Sequence, residues 1–284
     1  MESGYSIRRA RLSLPEAEAL LAVEQQSLGD SPYTPQKILA VMQRPEHYAY
    51  VAALGDELVG FCSCLETPAA DERRLEIDML GVVPVHRRRG LASRLITRAV
   101  AEANTRGIHV FRGAVGVGNT ASQRAFQHVG LNRSSYPFDL LVREVHPDDP
   151  PASLPAGWTW QVEEDNLARI HDDQAASNYA PDWPQQTCRL EREGATVARA
   201  EYLQVCTMAY RGLWLEKLWA VSDEAMGLIA RVLAERAREL ALDKVGHLAP
   251  RTPPGNGRSK YAALLESQGY RAVGSYYLFA AERP

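Results

Sequence analysis

Eleven residues, Val82 to Ala92, constrain this chain more tightly than any other stretch. They read Val-Val-Pro-Val-His-Arg-Arg-Arg-Gly-Leu-Ala and follow an apolar run from Leu75 to Val83. They lead into Leu91, Leu95, Ile96, Ala99, Val100 and Ala103, the apolar stripe of an amphipathic helix. A strand that stops at a proline, turns through three arginines and enters a helix at a glycine exposes the first backbone N–H groups of that helix. Gly90 lets the main chain approach a ligand and adopt angles other residues resist, and Ala92 is too small to block the same surface. Arg87, Arg88 and Arg89 add fixed positive charge suited to phosphate oxygens. The whole turn is built to hold an anion.

A second motif lies downstream, Asn119-Thr-Ala-Ser122-Gln-Arg-Ala-Phe126-Gln-His-Val-Gly130-Leu131. Read alone, Asn119 is a helix N-cap and Gly130 a helix C-cap. Arg87-x-x-Gly90-x-Ala92 after Leu80-x-Val82-x-Pro84 resembles the acyl-CoA pyrophosphate loop of the GNAT N-acetyltransferase superfamily, and the Asn119 segment resembles that superfamily's later signature. The resemblance implies an α/β fold (an α+β mixed sheet) and acetyl-CoA as acyl donor. It assigns Leu80, Gly81, Val82, Arg87, Arg88, Arg89, Gly90, Leu91 and Ala92 to the cofactor, with Asn119, Ser122 and Phe126 beside the pantetheine. It further implies a small-molecule or peptide amine as acceptor.

Composition closes other routes. The formal net charge of −3 gives no global attraction for nucleic acid. No apolar run approaches the ~20 residues that span a bilayer, and the start lacks the apolar core of a signal peptide, so a cytoplasmic protein without membrane attachment is expected. Of the four cysteines, Cys62 and Cys64 are two apart on one strand, so they share a face as small buried residues; Cys188 and Cys206 stand alone. No Cys/His grouping has zinc spacing, and no metal is expected. A homodimer is left open.

In order, the chain reads as a strand over 5–11, helices over 14–28 and 36–43, and a hairpin over 48–65 turning at Gly55-Asp-Glu. A polar connection over 68–73 precedes the central strand Leu75–Val83. Beyond the first motif come a helix, a strand over 108–117, the Asn119 helix and a closing strand over 140–145. Tyr33 and Asp30, between the early helices, are candidates for acceptor contact, or simply an exposed loop. The first domain is thus 1–145. Residues 146–157 hold four prolines in twelve and read as a stiff linker.

All five tryptophans lie in the remainder, 158–284. Its expected elements are a strand at 158–162, a helix at 167–179, a hairpin over 196–210, a central strand at 213–221, a long helix at 225–242 and a last strand at 276–281. Leu80-Gly-Val82 matches Trp219-Ala-Val221 in place, and the interval from Val82 to Gly130 equals that from Val221 to Gly269, an internal repeat signal. Two tandem GNAT-like acyltransferase domains follow, the second degenerate. Where the first has Arg87-Arg-Arg-Gly90, the second has Met226-Gly-Leu-Ile, and Arg258 or Asn256 stands in place of Asn119. Met226, Leu228 and Ile229 suit helix packing instead.

Acetyl transfer to an amine needs a neutral amine, a stabilised oxyanion and a protonated leaving thiolate. Glu76 and Asp78 lie two apart on the central strand, which places both carboxylates on one face and raises at least one pKa; alternatively they mark its solvated side. By resemblance Glu76 ranks first as base, eleven residues before Arg87, and Asp78 second. Phe126 stands where many relatives carry a proton-donating tyrosine, so Tyr136 or Ser122 is sought for that role, or water. The resemblance also puts the oxyanion donor among the main-chain N–H groups of Leu80 to Val82. The expected activity is N-acetyl transfer from acetyl-CoA to a primary amine; the alternative is a non-catalytic acyl-CoA-binding or sensing protein whose C-terminal domain recruits a partner.

Overall fold

A computed structural model describes residues 4–29, 31–69, 72–164, 185–208, 210–251 and 260–282. The chain forms two compact units. The first comprises Met1–Ser134 with Thr207–Ala209 and Leu278–Pro284, the second Ser135–Cys206 with Tyr210–Tyr277.

In the first unit β1 (Tyr5–Arg9) precedes α1 (Leu14–Leu28) and α2 (Pro35–Met42). Ser13 caps α1 by accepting the Glu16 N–H, and Thr34 caps α2 through Lys37; each helix carries proline in its first turn. Then come β2 (His47–Leu54), β3 (Glu57–Ala69), β4 (Glu72–Val82), α3 (Leu91–Asn104), β5 (Val110–Gly116), α4 (Thr120–His128) and the two-residue β6 (Asn132–Arg133). The order is β1-β2-β3-β4-β5, antiparallel except for β4 and β5, with the end of β13 (Arg271–Glu282) completing the unit and pairing β6.

Of the polar connection expected over 68–73, the described residues are strand, because β3 and β4 stay paired out to Ala69 and Glu72. Buried Glu66 pins this end, bonded by Arg106 and by Arg73 at 3.3 Å, while the Arg106 guanidinium lies 3.8 Å from the Tyr48 ring. At the other end of β4, α1 lies so close that a Cβ on Gly81 would stand 2.7 Å from the Phe61 ring and closer still to the Ser27 hydroxyl. Gly81→Ala should therefore destabilise the unit by about 1–3 kcal/mol through overpacking, read as a lowered thermal midpoint. An unchanged midpoint would show that α1 can move aside.

The second unit contains β7 (Phe138–Glu144), β8 (Trp158–Glu164), β9 (Gln186–Arg192), β10 (Ala195–Cys206), β11 (Arg211–Ala220), α5 (Asp223–Glu239), β12 (Lys244–Pro250), α6 (Lys260–Ser267) and the start of β13. Its order is β13-β7-β12-β11-β10-β9-β8, with β11 and β12 parallel. Met226, Leu228, Ile229, Val232 and Leu233 of α5 are buried in one core with Leu190, Tyr202, Leu213 and Val245. The helix expected at 167–179 lies outside the described residues, as does Trp183.

Two expectations change here. The strand at 138–144 does not close the first unit: it pairs β12 and the early part of β13 within the second. The first is closed by the chain's far end, where buried Phe279 packs 5.4 Å from Phe126. The repeat is also one residue out of the expected register. The Val83 N–H donates to Val59 and the Val221 N–H to Val197, both pairs displaced by 138 residues, so Val82 corresponds to Ala220 rather than Val221.

Candidate active site

The site of the first unit begins where its sheet divides. β4 and β5 pair only between Arg74–Ile77 and Val110–Gly113, yet β4 continues to Val82 and β5 to Gly116. The Val83 N–H bonds β3, so strand alternation turns the Gly81 main chain the same way and the Leu80 and Val82 N–H groups to the opposite edge, where β5 no longer pairs. A ligand strand or arm can hydrogen-bond there.

At the end of β4 a single 3-10 turn, Pro84–His86, leads into the basic loop. Arg88 and Gly90 both take positive φ, 61° and 72°, which curves the main chain into a nest. The first bond of α3 runs from Arg94 N–H to Gly90 C=O, and the N–H groups of Arg88 to Ser93 meet no acceptor among the described residues. The three arginines divide their work. Arg87 is committed to the protein itself, donating to the carbonyls of Val82 at 2.9 Å and Ser27 at 3.0 Å, whereas Arg88 and Arg89 are exposed. Leu91 is buried in the core, so only its N–H remains for a ligand.

Asn119 caps α4, its Oδ1 accepting the Ser122 N–H at 3.1 Å. Gln123 is a residue the sequence did not single out: its amide bonds the carbonyls of Gly116 and Val117 and fixes the end of β5. Phe126 is core. A Cβ on Gly113 would lie 2.5 Å from its ring, so glycine there makes room for the phenyl group at the point where β4 and β5 part. Tyr136 belongs to the second unit and is half exposed, and Ser122 is half-buried.

The two carboxylates on β4 differ sharply. β3 residues Ser63 and Cys64 pair with Met79 and Ile77, leaving Asp78 as a β-bulge. The bulge breaks the alternation on which the expected shared face rested. Glu76 is held by Arg74 and by Arg112, whose Nη2 lies 2.8 Å away. Asp78 Oδ2 is buried without a hydrogen-bond partner, and the hydroxyls of Thr207 and Ser63 favour the ionised form of its carboxyl. Burial first, then the charges of Glu76 and Glu24, push its carboxyl up to about 7 against those two hydroxyls. Ser63 is bonded in turn to His47 Nε2 at 2.8 Å, and burial, with Arg44 and Arg9, pushes that imidazole down to about 3. Glu24, buried on α1, is itself raised by burial against the Ser31 hydroxyl. Neither Glu24 nor Thr207 carries a local sequence signal. Asp30 lies outside the described residues.

The second unit repeats the strands without the loop. Its β11 also carries a bulge, at Glu216, in the place of Asp78. Eight residues separate β4 from α3, but only Val221 and Ser222 separate β11 from α5. Met226 to Ile229 therefore lie inside the helix rather than in a counterpart of the basic turn. Ser222 caps the helix through Ala225 N–H, and Asp223 and Glu224 put negative charge in its first turn. The described junction of β11 and α5 forms no phosphate nest. At the place of Gly113 stands His247, whose Nδ1 bonds the Leu215 carbonyl at 2.9 Å, and Leu265 replaces Phe126. Asn256 and Arg258 lie outside the described residues. Among the described residues no three potential ligands group to hold a metal, and no helix is long and apolar enough to cross a membrane.

Comparison with known proteins gives a consistent picture. A model described as Acetyltransferase (GNAT) family matches residues 15–131. A search of curated proteins returns no match. Among solved structures, a GCN5-related N-acetyltransferase from Sphaerobacter thermophilus aligns at 12% identity over 100% of this chain and 98% of its own, with TM-score 0.63. A tandem GNAT protein from the clavulanic acid biosynthesis pathway aligns at 14% identity over 99% of each chain, with TM-score 0.55. A third, from Pyrococcus horikoshii and described as a putative acetyltransferase, aligns at 14% over 100% of this chain and 91% of its own, TM-score 0.53. At such identities the likeness concerns the fold, and it extends over both units.

Proposed function

With residues 15–131 belonging to the acetyltransferase (GNAT) family, we propose that the chain transfers an acetyl group from acetyl-CoA to a primary amine, and that the first unit alone does so. The observation that carries this reading is the conjunction of the open N–H nest at Arg88–Ser93 with a buried, protonatable Asp78 on the adjoining strand. The nest and the exposed Arg88 and Arg89 receive the pyrophosphate, and the free edge of β4 receives the pantetheine arm. The Leu80 or Val82 N–H steadies the oxyanion as the amine attacks the thioester carbonyl. Asp78 takes the proton the ammonium must lose; Glu76, ion-paired with two arginines, is the weaker candidate despite its place in the family pattern.

Phe126 has no proton to give, which leaves the Ser122 hydroxyl or solvent to protonate the departing thiolate. That same residue favours the second reading, a protein that binds or senses acyl-CoA without turnover. Calorimetric titration with acetyl-CoA separates the two units: one site per chain is expected, weakened at least about tenfold in an Arg88→Glu/Arg89→Glu variant by loss of charge-assisted bonds. Two sites would return the second unit to the reckoning. A chain that binds once but acetylates nothing across a broad amine set is a sensor.

A further inference from the structure

We infer that the second unit carries a binding site of its own, for a small zwitterion of the α-amino acid class, where the start of β7 meets the end of β12. A cavity of about 460 Å³ opens there, lined by Asp139, Arg251 and residues 272–275 of β13. Small-molecule sites span about 300–1,000 Å³. β7 runs between β12 and β13, so Asp139 is paired with Ala249 on one side and Ser275 on the other. A carboxylate in the middle of a sheet, only 8% exposed, needs donors. Its Oδ1 accepts the Ser275 hydroxyl at 2.7 Å, but the Arg251 guanidinium reaches the same oxygen only at 3.5 Å, and through Nε. A committed guanidinium–carboxylate pair makes two parallel bonds at about 2.7–2.9 Å. Here neither Nη atom has a partner among the described residues. The Arg251 main chain is fixed nonetheless, its N–H donating to the Pro137 carbonyl at 3.1 Å.

A guanidinium fork and a carboxylate thus stand side by side, each incompletely answered. A ligand carboxylate closes the fork with two parallel N–H···O bonds, and an ammonium on the adjacent carbon supplies Asp139 with the close cation that Arg251 is not. An anion alone is opposed by Asp139 and a cation alone by Arg251. A ligand bearing both charges on neighbouring atoms satisfies each, which is the basis of selection. The third wall adds shape. β7 pairs Leu141 with Ala272 and Leu140 with Gly274, leaving Val273 as a bulge, a device that recurs beside binding sites. Ala272 and Val273 both line the cavity although they are consecutive in the strand, and Val273 is 43% exposed. Two small apolar side chains there favour a short aliphatic substituent on the ligand. The inference does not rest on acetyl transfer by the first unit.

Calorimetry on the full chain without acetyl-CoA tests it, with glycine, alanine, valine and leucine as free amino acids. At least one is expected to bind once per chain. Its amide, which lacks the carboxylate, and its deaminated acid, which lacks the ammonium, should each bind at least about tenfold more weakly. Arg251→Gln, at a half-exposed strand end, and Asp139→Asn should each weaken the amino acid by a similar factor; if Asp139→Asn does not fold, Arg251→Gln decides alone. Absence of binding by all four overturns the inference. So does equal affinity for the amide or the deaminated acid, since the paired charges would then not be what is read. Binding that survives Arg251→Gln lies elsewhere on the chain and overturns it too, and none of these outcomes touches the reading of the first unit, which the acetyl-CoA titration tests.

Discussion

Asp78→Asn is expected to lower turnover by about 10²–10⁴-fold, the usual loss when a positioned general base is removed, while acetyl-CoA binding stays unchanged. The two quantities separate because the nest at Arg88–Ser93 is built from main chain and surface arginines, not from this carboxylate. The pH dependence should change with it. A base raised to about 7 is ionised only above neutrality, so the wild-type rate should climb through that region and the variant's residual rate should not. Stability gives an independent reading. Between about 4 and 7 the unfolded chain has released the Asp78 proton and the folded chain retains it, so raising pH through this window destabilises the wild type. Asp78→Asn lacks that penalty, and its melting midpoint relative to wild type should improve from pH 4 to pH 7 and then level off. Equal pH profiles for the two proteins would remove Asp78 from the mechanism. Glu76→Gln is the contrast: it frees Arg74 and Arg112 and should cost stability more than it costs the chemical step.

The second large effect concerns the fragment 1–145. The sequence suggests a domain boundary there, and the fragment is expected not to fold. It lacks Phe279, which is fully buried against Phe126, and it lacks Met208. Loss of a buried phenylalanine alone costs about 3–5 kcal/mol, against the roughly 5–15 kcal/mol by which a domain is stable. It also keeps residues 138–144, whose Leu141 and Val142 are core residues of the second unit and would have nothing to pair with. Aggregation, or a circular dichroism melt without a cooperative transition, is the expected result. A soluble fragment that melts cooperatively and binds acetyl-CoA would show that the first unit closes without the far end of the chain.

What the sequence disclosed and what it withheld follow one physical line. The anion loop was legible because its chemistry sits in consecutive residues, and α3, α4 and α5 because an apolar stripe repeats locally. The bulge at Asp78 was not, since it exists only in the register between two strands, and it overturns the shared face inferred for Glu76 and Asp78. The pairing of Glu76 with Arg112 joins residues 36 apart, a separation at which no period connects one side chain to another. Closure of the first unit by 278–282 escaped for a different reason. Phe138–Glu144 and Arg271–Glu282 are both apolar strands of suitable length, and hydropathy alone does not say which sheet a strand joins.

The short connection between β11 and α5 sets a limit on what substitution can do in the second half. Six residues fewer than the eight between β4 and α3 leave no length of chain from which to shape a nest. Exchanging any side chain in Val221-Ser222, or softening the charge at Asp223 and Glu224, cannot supply the missing backbone. A loop that lacks a side chain can be supplied with one by substitution, but a loop that lacks backbone requires an insertion of the right length at the right place. Substitution alone therefore cannot give the second half a nest between β11 and α5, and the two halves differ there in backbone and not merely in side chains.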